Sequence, residues 1–264
     1  MTADIRWLWL FGAIGAAAVW GPHGAAAQVS VRRPVVVAEL FTSEGCSSCP
    51  PADTVLSQLA HQTRLDVDML TIGEHVDYWD HLGWHDRFSS AEFSARQTIY
   101  DANAFHRNEV YTPQLVIDGR FARVGSDADG IRRDIQKAAE AEKASVTVAL
   151  EPAGDRRIGV DMRVQWPDAR AFKGAIDAIV AATEDNLVTH VSAGDNHGRV
   201  LRHDAVARWM RSVPVLPAGE RVWQARIEFP IAADWNPANV NVVCFLQERE
   251  SRRIVGAGVA RLSK

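Results

Sequence analysis

ELFTSEGCSSCPPAD, residues 39–53, places Cys46 and Cys49 where an apolar run gives way to a helical pattern. Upstream, residues 35–41 (VVVAELF) are almost continuously apolar and rich in β-branched side chains, the pattern of a strand buried on both faces. Downstream, Ala52, Val55, Leu56 and Leu59 share one helical face. A thiol leaving a strand and opening a helix lies near the free N–H groups of the helix N-terminus, where the dipole stabilises negative charge. That lowers its pKa from about 8.5 and favours the thiolate, the nucleophile of disulfide exchange. A second thiol three residues on can close a small ring or resolve a mixed disulfide. The residues alone leave three readings open: an exchanging redox pair, half of a metal site, or an inert local disulfide. A four-cysteine zinc site is excluded, because the chain holds only Cys46, Cys49 and Cys244. Pro50 and Pro51 follow the pair; a first helical turn tolerates them, but they govern how well the helix end reaches Cys46.

Outward from this stretch, strand and helix signals alternate. Residues 65–72 read as a second strand. Ser89 before Glu92 has the spacing of a capping box, and Ala95, Ile99 and Ala102 continue the helical stripe. Residues 115–117 run into the Asp118-Gly119 turn, and Ser126 with Asp129 caps a last helix bearing Ile131, Ile135 and Ala138. The order β-α-β-(α)-β-α predicts a sheet covered by helices. After residue 143 the period becomes two: Ile158, Val160, Met162 and Val164 alternate with polar neighbours, as do Trp223, Ala225, Ile227 and Phe229, and Val240, Val242, Cys244 and Leu246. Such half-buried strands with turn punctuation predict an antiparallel β-sandwich, with Cys244 as a small buried core residue. The domains expected are a helix-covered α/β domain over 33–143 and the sandwich over 144–264.

The CSSC pair after a buried strand, with Thr112-Pro113 before LVIDG, resembles the thioredoxin superfamily, in which a residue such as threonine precedes a cis-proline beside the CxxC. FTSEGCSSCPPAD, HVDYWDHLGW, FSSAEFSARQ and VYTPQLVIDG together resemble a family of secreted bacterial proteins, DUF1223, a domain of unknown function. The resemblance extends into the second half through GRVLRHDAVARW. It implies a thioredoxin-like α/β domain with a helical insertion, followed by the antiparallel β-sandwich domain. It also implies an exchanging pair in which Cys46 attacks and Cys49 resolves, while Thr112 and Pro113 shape the side that meets an extended peptide.

Residues 75–103 form the insertion, rich in groups that cost energy to bury unpaired: His75, Asp77, Asp80, His85 and Asp86. His75 or Asp77 near the thiols would exchange protons during attack, and Trp79 and Trp84 would line an apolar wall. The alternative has Asp and His capping turns and the tryptophans packing. Arg96, Gln97 and Tyr100 share a stripe and read as structural supports. Two thiolates with His75, His81, His85 or His106 would suit copper, although the CxxC spacing and scattered histidines are not diagnostic. Asn196 and Gly198 serve a turn in DNHG, whose functional alternative is a contact with the first half.

Residues 1–27 carry one arginine, a short apolar run ended by Gly21-Pro22, and Ala25-Ala26-Ala27, the layout of a cleaved secretory signal. The expected location is periplasmic or secreted, with no membrane anchor after cleavage. A formal charge of −4 without a Lys/Arg block gives no electrostatic case for nucleic acid. The function expected is thiol–disulfide exchange with protein thiols or disulfides and no bound cofactor. A periplasmic copper chaperone is the runner-up, and a binding module with a structural disulfide is the non-enzymatic alternative.

Overall fold

β1 (Val35–Thr42) contains the apolar run of residues 35–41, and every position after its first is buried. It runs parallel to β2 (Asp68–His75) and antiparallel to β3 (Gln114–Ile117), so it is a central strand covered on both faces. The computed structural model describes residues 33–62, 66–167, 174–215 and 221–262; the expected signal, residues 1–27, lies outside them. α1 (Pro50–His61) crosses from β1 to β2 and buries Ala52, Leu56 and Leu59 against β1 and β3. β2 starts later than the 65–72 reading and ends on His75, which lies opposite Thr42. α2 (Ala91–Ile99) is capped by Ser90, one residue past the expected cap, through a bond from Glu92 N–H. β4 (Phe121–Val124) completes a hairpin with β3, and α3 (Ala128–Ala139) is capped by Asp127 rather than Ser126.

The remaining strands are β5 (Ala144–Pro152), β6 (Arg157–Gln165), β7 (Ile176–Glu184), β8 (Leu187–His190) and β9 (Val200–His203). They continue with β10 (Val206–Val215), β11 (Val222–Pro230), β12 (Val240–Glu248) and β13 (Ile254–Arg261). Eleven strands share one mixed sheet in the order β11-β6-β5-β13-β12-β7-β10-β2-β1-β3-β4, while β8 and β9 form a separate ribbon. This overturns the expected fold of a thioredoxin-like α/β domain followed by an antiparallel β-sandwich. The first four strands are one end of a sheet that runs on through the second half.

The physical reason is an edge. β2 would have ended the first sheet with unpaired backbone groups, which seek a partner strand. β10 supplies it, with Val206 opposite Gly73 and Gly73 N–H donating to Ala205 O at 2.7 Å. Hydrophobic period identifies a strand but not its neighbour, and the pairing here falls on a glycine, Gly73, while Ile72 and Ala207 beside it share one buried cluster. At the other join β13 meets β5 through two residue pairs, where a Cβ on Gly258 would fall 2.3 Å from Val146 O. Beyond that corner the inner face of β6 meets β12 across the core, with Met162 Sδ 3.4 Å from Cys244 Sγ. Cys244 is fully buried as expected, and burial pushes its thiol up to about 12.

A buried ionic network ties α2 to the sheet. Arg96 Nε donates to Glu39 Oε2 of β1 (2.8 Å), Nη1 donates to Gln247 Oε1 of β12 (3.1 Å), and Nε lies 3.5 Å from Glu74 Oε1 of β2. Tyr100 Oη donates to Glu39 Oε1 and accepts from Gln247 Nε2 at 2.6 Å. Arg96 and Tyr100 are therefore the structural supports expected of them. Among the described residues no helix is long and apolar enough to cross a membrane.

Candidate functional site: a buried disulfide and its ionisable bed

Between β1 and α1 the chain makes two tight turns, with Cys46 N–H donating to Ser43 O and Cys49 N–H to Cys46 O, each at 3.2 Å. They bring Cys46 and Cys49 to a Cα–Cα distance of 5.4 Å, and the two are joined as a disulfide. Both cysteines are 0% exposed, whereas Ser47 and Ser48 face solvent. Cys49 is the N-cap of α1, with Pro50 and Pro51 as the first helical residues. The prolines have no N–H to offer, and Ala52 and Asp53 N–H both donate to Cys49 O (2.8 and 3.1 Å). No free amide of the first turn is left for a thiolate, so the acidifying effect expected of the helix end is not supplied by direct hydrogen bonds.

Ionisable side chains surround the turn instead. Glu44 precedes Cys46 by two residues and Asp53 follows Cys49 by one helical turn; both are buried. Burial raises the Asp53 carboxyl pKa despite the opposing pull of His203, His75 and a 2.8 Å bond from Thr42 Oγ1. His203, the last residue of β9, lies between the two arms, with Nε2 3.4 Å from Glu44 Oε1 and Nδ1 3.8 Å from Asp53 Oδ2. Glu44 Oε1 and His203 Nε2 are both fully enclosed and neither makes a hydrogen bond. The His203 ring meets the His75 ring edge-on, with centroids 5.0 Å apart.

His75 is itself buried and shares a 2.6 Å hydrogen bond with Asp86 Oδ2 through Nδ1. Burial pushes its pKa down, but the Asp86 carboxylate, their hydrogen bond, Asp53 and Glu44 outweigh that and leave it raised. The Asp86 carboxyl is desolvated too, yet His75⁺ and the N–H groups of Glu44 (2.8 Å) and Phe88 (2.9 Å) bring it down to about 2.

A cover closes over the turn. Trp79 packs on Gly45, where an added Cβ would lie 3.2 Å from Trp79 Cβ. Its indole N–H donates to Thr112 Oγ1 at 2.8 Å. Trp84 Nε1 donates to Glu44 Oε2 at 2.8 Å. Asn196 reaches in from the turn between β8 and β9, and its Nδ2 donates to Glu44 O (2.8 Å) and Cys46 O (3.0 Å). The DNHG turn thus makes the contact with the first half that was its functional alternative. Asn196→Ala removes both bonds from buried carbonyls and should cost about 1–3 kcal/mol. Asn196→Asp should cost more, since it sets a carboxylate against two carbonyl oxygens; urea unfolding of the two variants gives the order.

Of the residues singled out from the sequence, Cys46, Cys49 and His75 meet in this bed, and Thr112 joins it through Trp79. The Thr112-Pro113 bond is cis. Pro113 is buried near the first turn of α1, since a Cβ on Gly125 would touch both Ala52 Cβ (2.7 Å) and Pro113 Cβ (3.3 Å). Asp77 serves elsewhere: Ser94 Oγ of α2 donates to its Oδ1 at 2.5 Å, anchoring that helix. Of the copper candidates, His75 Nδ1 is engaged by Asp86, while His81, His85 and His106 are exposed. Among the described residues no three His, Cys, Asp or Glu side chains are placed to hold a metal ion. Sequence reasoning does not reach Glu44, Asp53, Asp86, Asn196 or His203 as site residues. Asp53 had a signal, a carboxylate between Ala52 and Leu56 on the buried stripe; His203 had none near the cysteines.

The fold and the site define a mixed-sheet protein that encloses a CxxC disulfide at a strand-to-helix turn. The chain belongs to the family described as Protein of unknown function (DUF1223), whose profile matches residues 37–247. It is similar in structure to protein AGR_C_4864 of Agrobacterium tumefaciens, with 27% identity and a TM-score of 0.64, covering 87% of this chain and 95% of that one. HBP35 of Porphyromonas gingivalis shares the fold at 15% identity and a TM-score of 0.67, covering 88% of this chain and 76% of that one. No curated protein matches the sequence.

Proposed function

We propose that the chain is an exported thiol–disulfide oxidoreductase whose Cys46–Cys49 pair cycles between disulfide and dithiol. The observation that carries this reading is the company the disulfide keeps: Glu44, Asp53, His75, Asp86 and His203, all buried around one short turn. A staple that only holds a turn gains nothing from five ionisable groups, each costly to bury unless partnered. Thiol exchange moves charge and protons at sulfur, and perturbed titratable groups are what such chemistry uses. Cys46 is the attacking thiol, Cys49 resolves, and Thr112 with Pro113 borders the approach of an extended protein substrate. With no free amide at the helix end, the Ser48 hydroxyl, 3.4 Å from Cys46 Sγ, is the group placed to donate a hydrogen bond to a thiolate there. Electrons pass between this pair and protein thiols without a bound cofactor. Because both cysteines are enclosed, exchange follows opening of the cover formed by Trp79, Trp84 and Asn196.

Complete burial of both cysteines favours a second reading, a binding module whose disulfide is inert. Redox titration of the protein, together with Cys49→Ser trapping of mixed disulfides, separates the two. An exchanging pair equilibrates with dithiols above about −300 mV, and the Cys49→Ser variant captures thiol proteins through Cys46. A pair that stays oxidised below about −300 mV and traps nothing is a structural disulfide, and the enzyme reading fails. Stoichiometric Cu(I) binding abolished by His75→Ala would instead make the chain a copper chaperone.

A further inference from the structure

Resting on the redox reading above, we propose that the Glu44–His203–Asp53 triad is the proton store of the Cys46–Cys49 couple, with His203 as the residue that joins its two carboxyl groups. Three features of the cluster lead there. First, its position is set by the disulfide turn itself, because Glu44 and Asp53 lie on the two arms that flank the cysteines and His203 spans them at 3.4 and 3.8 Å. Second, its charges do not balance without a mobile proton. Three carboxyls (Glu44, Asp53, Asp86) face two imidazoles (His75, His203), so ionising all three carboxyls would leave the buried group with at least one uncompensated negative charge. His75 and Asp86 form a closed ion pair, which leaves the balancing proton to the triad. Burial raises the Asp53 pKa, in keeping with a proton held there. Third, Glu44 Oε1 and His203 Nε2 face each other without a hydrogen bond, so neither atom is engaged elsewhere.

A thiolate of an external dithiol attacks Cys46 Sγ, a new S–S bond forms, and the Cys46–Cys49 bond breaks with its electron pair on Cys49 Sγ. The triad gives its proton to that sulfur, which would otherwise be a thiolate in an enclosed site. The second thiolate of the dithiol then displaces Cys46, completing oxidation of the dithiol to its disulfide and reduction of the pair. The two protons released by the dithiol replace the one spent by the triad and neutralise Cys46. His203 acts on the sulfur through this shared proton and is a positioning residue. The groups facing it are Glu44 before the disulfide, Asp53 of α1, His75 of β2 and, beyond His75, Asp86. The Phe88 ring lies on the same side, with Arg87 and Arg208 over it.

The test is the rate of reduction of the folded protein by dithiothreitol from about pH 5 to 9, divided by the concentration of dithiothreitol thiolate at each pH. A store that donates to the leaving sulfur makes this normalised rate fall as it empties, by up to about tenfold per pH unit and about a hundredfold in all. His203→Gln should flatten the profile and lower its acid end toward the alkaline value. Asp53→Asn, which can keep the Thr42 bond, should flatten it as well and carries the test if His203→Gln does not fold. A uniform change of rate with the wild-type pH profile retained in either folded variant overturns the proposal, and so does a flat wild-type profile. A folded wild type that is not reduced at any pH sinks the redox reading itself and takes the proton store with it. Cys244, buried and with its thiol pushed to about 12, stays silent and serves as the internal control for thiol counting.

Discussion

Arg96→Met should lower the free energy of unfolding by about 3–5 kcal/mol, because it leaves buried carboxylates without their cation. Arg96 is the common partner of Glu39 on β1 and Glu74 on β2, and both carboxyls have 0% exposed side chains. Burial, followed by repulsion from Glu39, already holds the Glu74 pKa well above its ordinary value even with the guanidinium present. Methionine fills much of the same volume but leaves Glu39, which keeps the Tyr100 hydroxyl, beside Glu74 with the guanidinium charge gone. The Glu74 pKa then rises further, so the native state binds a proton that the unfolded chain releases. Stability therefore drops as pH climbs above the unfolded value of about 4.3. The deficit should accordingly be larger at pH 8 than at pH 4 in denaturant titrations. Adding Glu39→Gln to Arg96→Met should recover part of it, whereas equal losses at both pH values would mean that packing, not charge, is what Arg96 supplies.

This network also shows why some of the architecture was legible in the sequence and some was not. β1 was legible because a central strand must be apolar on both faces, and α1 because its stripe at Ala52, Leu56 and Leu59 has one period and one face. The alternating strands β6, β11 and β12 were legible for the same local reason. The single sheet was not, since apolar alternation marks each strand but not which strand it pairs with, and at both joins, Gly73–Ala205 and Gly258–Val146, a glycine meets backbone. The site divides along the same line. Cys46, Cys49 and His75 carry their chemistry in their side chains and stand out on composition. Glu44 and Asp53 sit in the same stretch but look like ordinary polar residues of a turn and a first helical turn. Asn196 and His203 come from the β8–β9 ribbon and its turn and meet Glu44, Cys46 and Asp53 far away in the chain, so their role follows from tertiary packing that local patterns do not encode.

Asp86→Asn should be nearly as damaging at neutral pH, about 3–5 kcal/mol, and should reverse a sign. In the wild type the folded pKa of His75 is raised above 6.5, so its contribution to stability is complete below that pH and is lost as pH rises through the folded value. Asp86, depressed from 3.8 to about 2, contributes above 3.8 and loses its share as pH falls toward 2. The pair is therefore worth most between about pH 4 and 6.5, the interval set by those two unfolded values. Asparagine removes the anion, and only one of its two terminal atoms can accept from the three donors now served by Asp86: His75 Nδ1, Glu44 N–H and Phe88 N–H. Desolvation then prevails at His75, its folded pKa drops below 6.5, and charging it in the native state becomes unfavourable. Each group can tilt stability by at most about 1.4 kcal/mol per pH unit. The difference between variant and wild type should consequently shrink from pH 6 to pH 8, since groups that titrate alike in both cancel. Denaturant titrations at those pH values read the trend directly, and an NMR titration of the His75 ring reads its cause. A difference that does not change with pH would show that the His75–Asp86 contact is a neutral hydrogen bond and that the charge balance assigned to the bed beneath the disulfide is wrong.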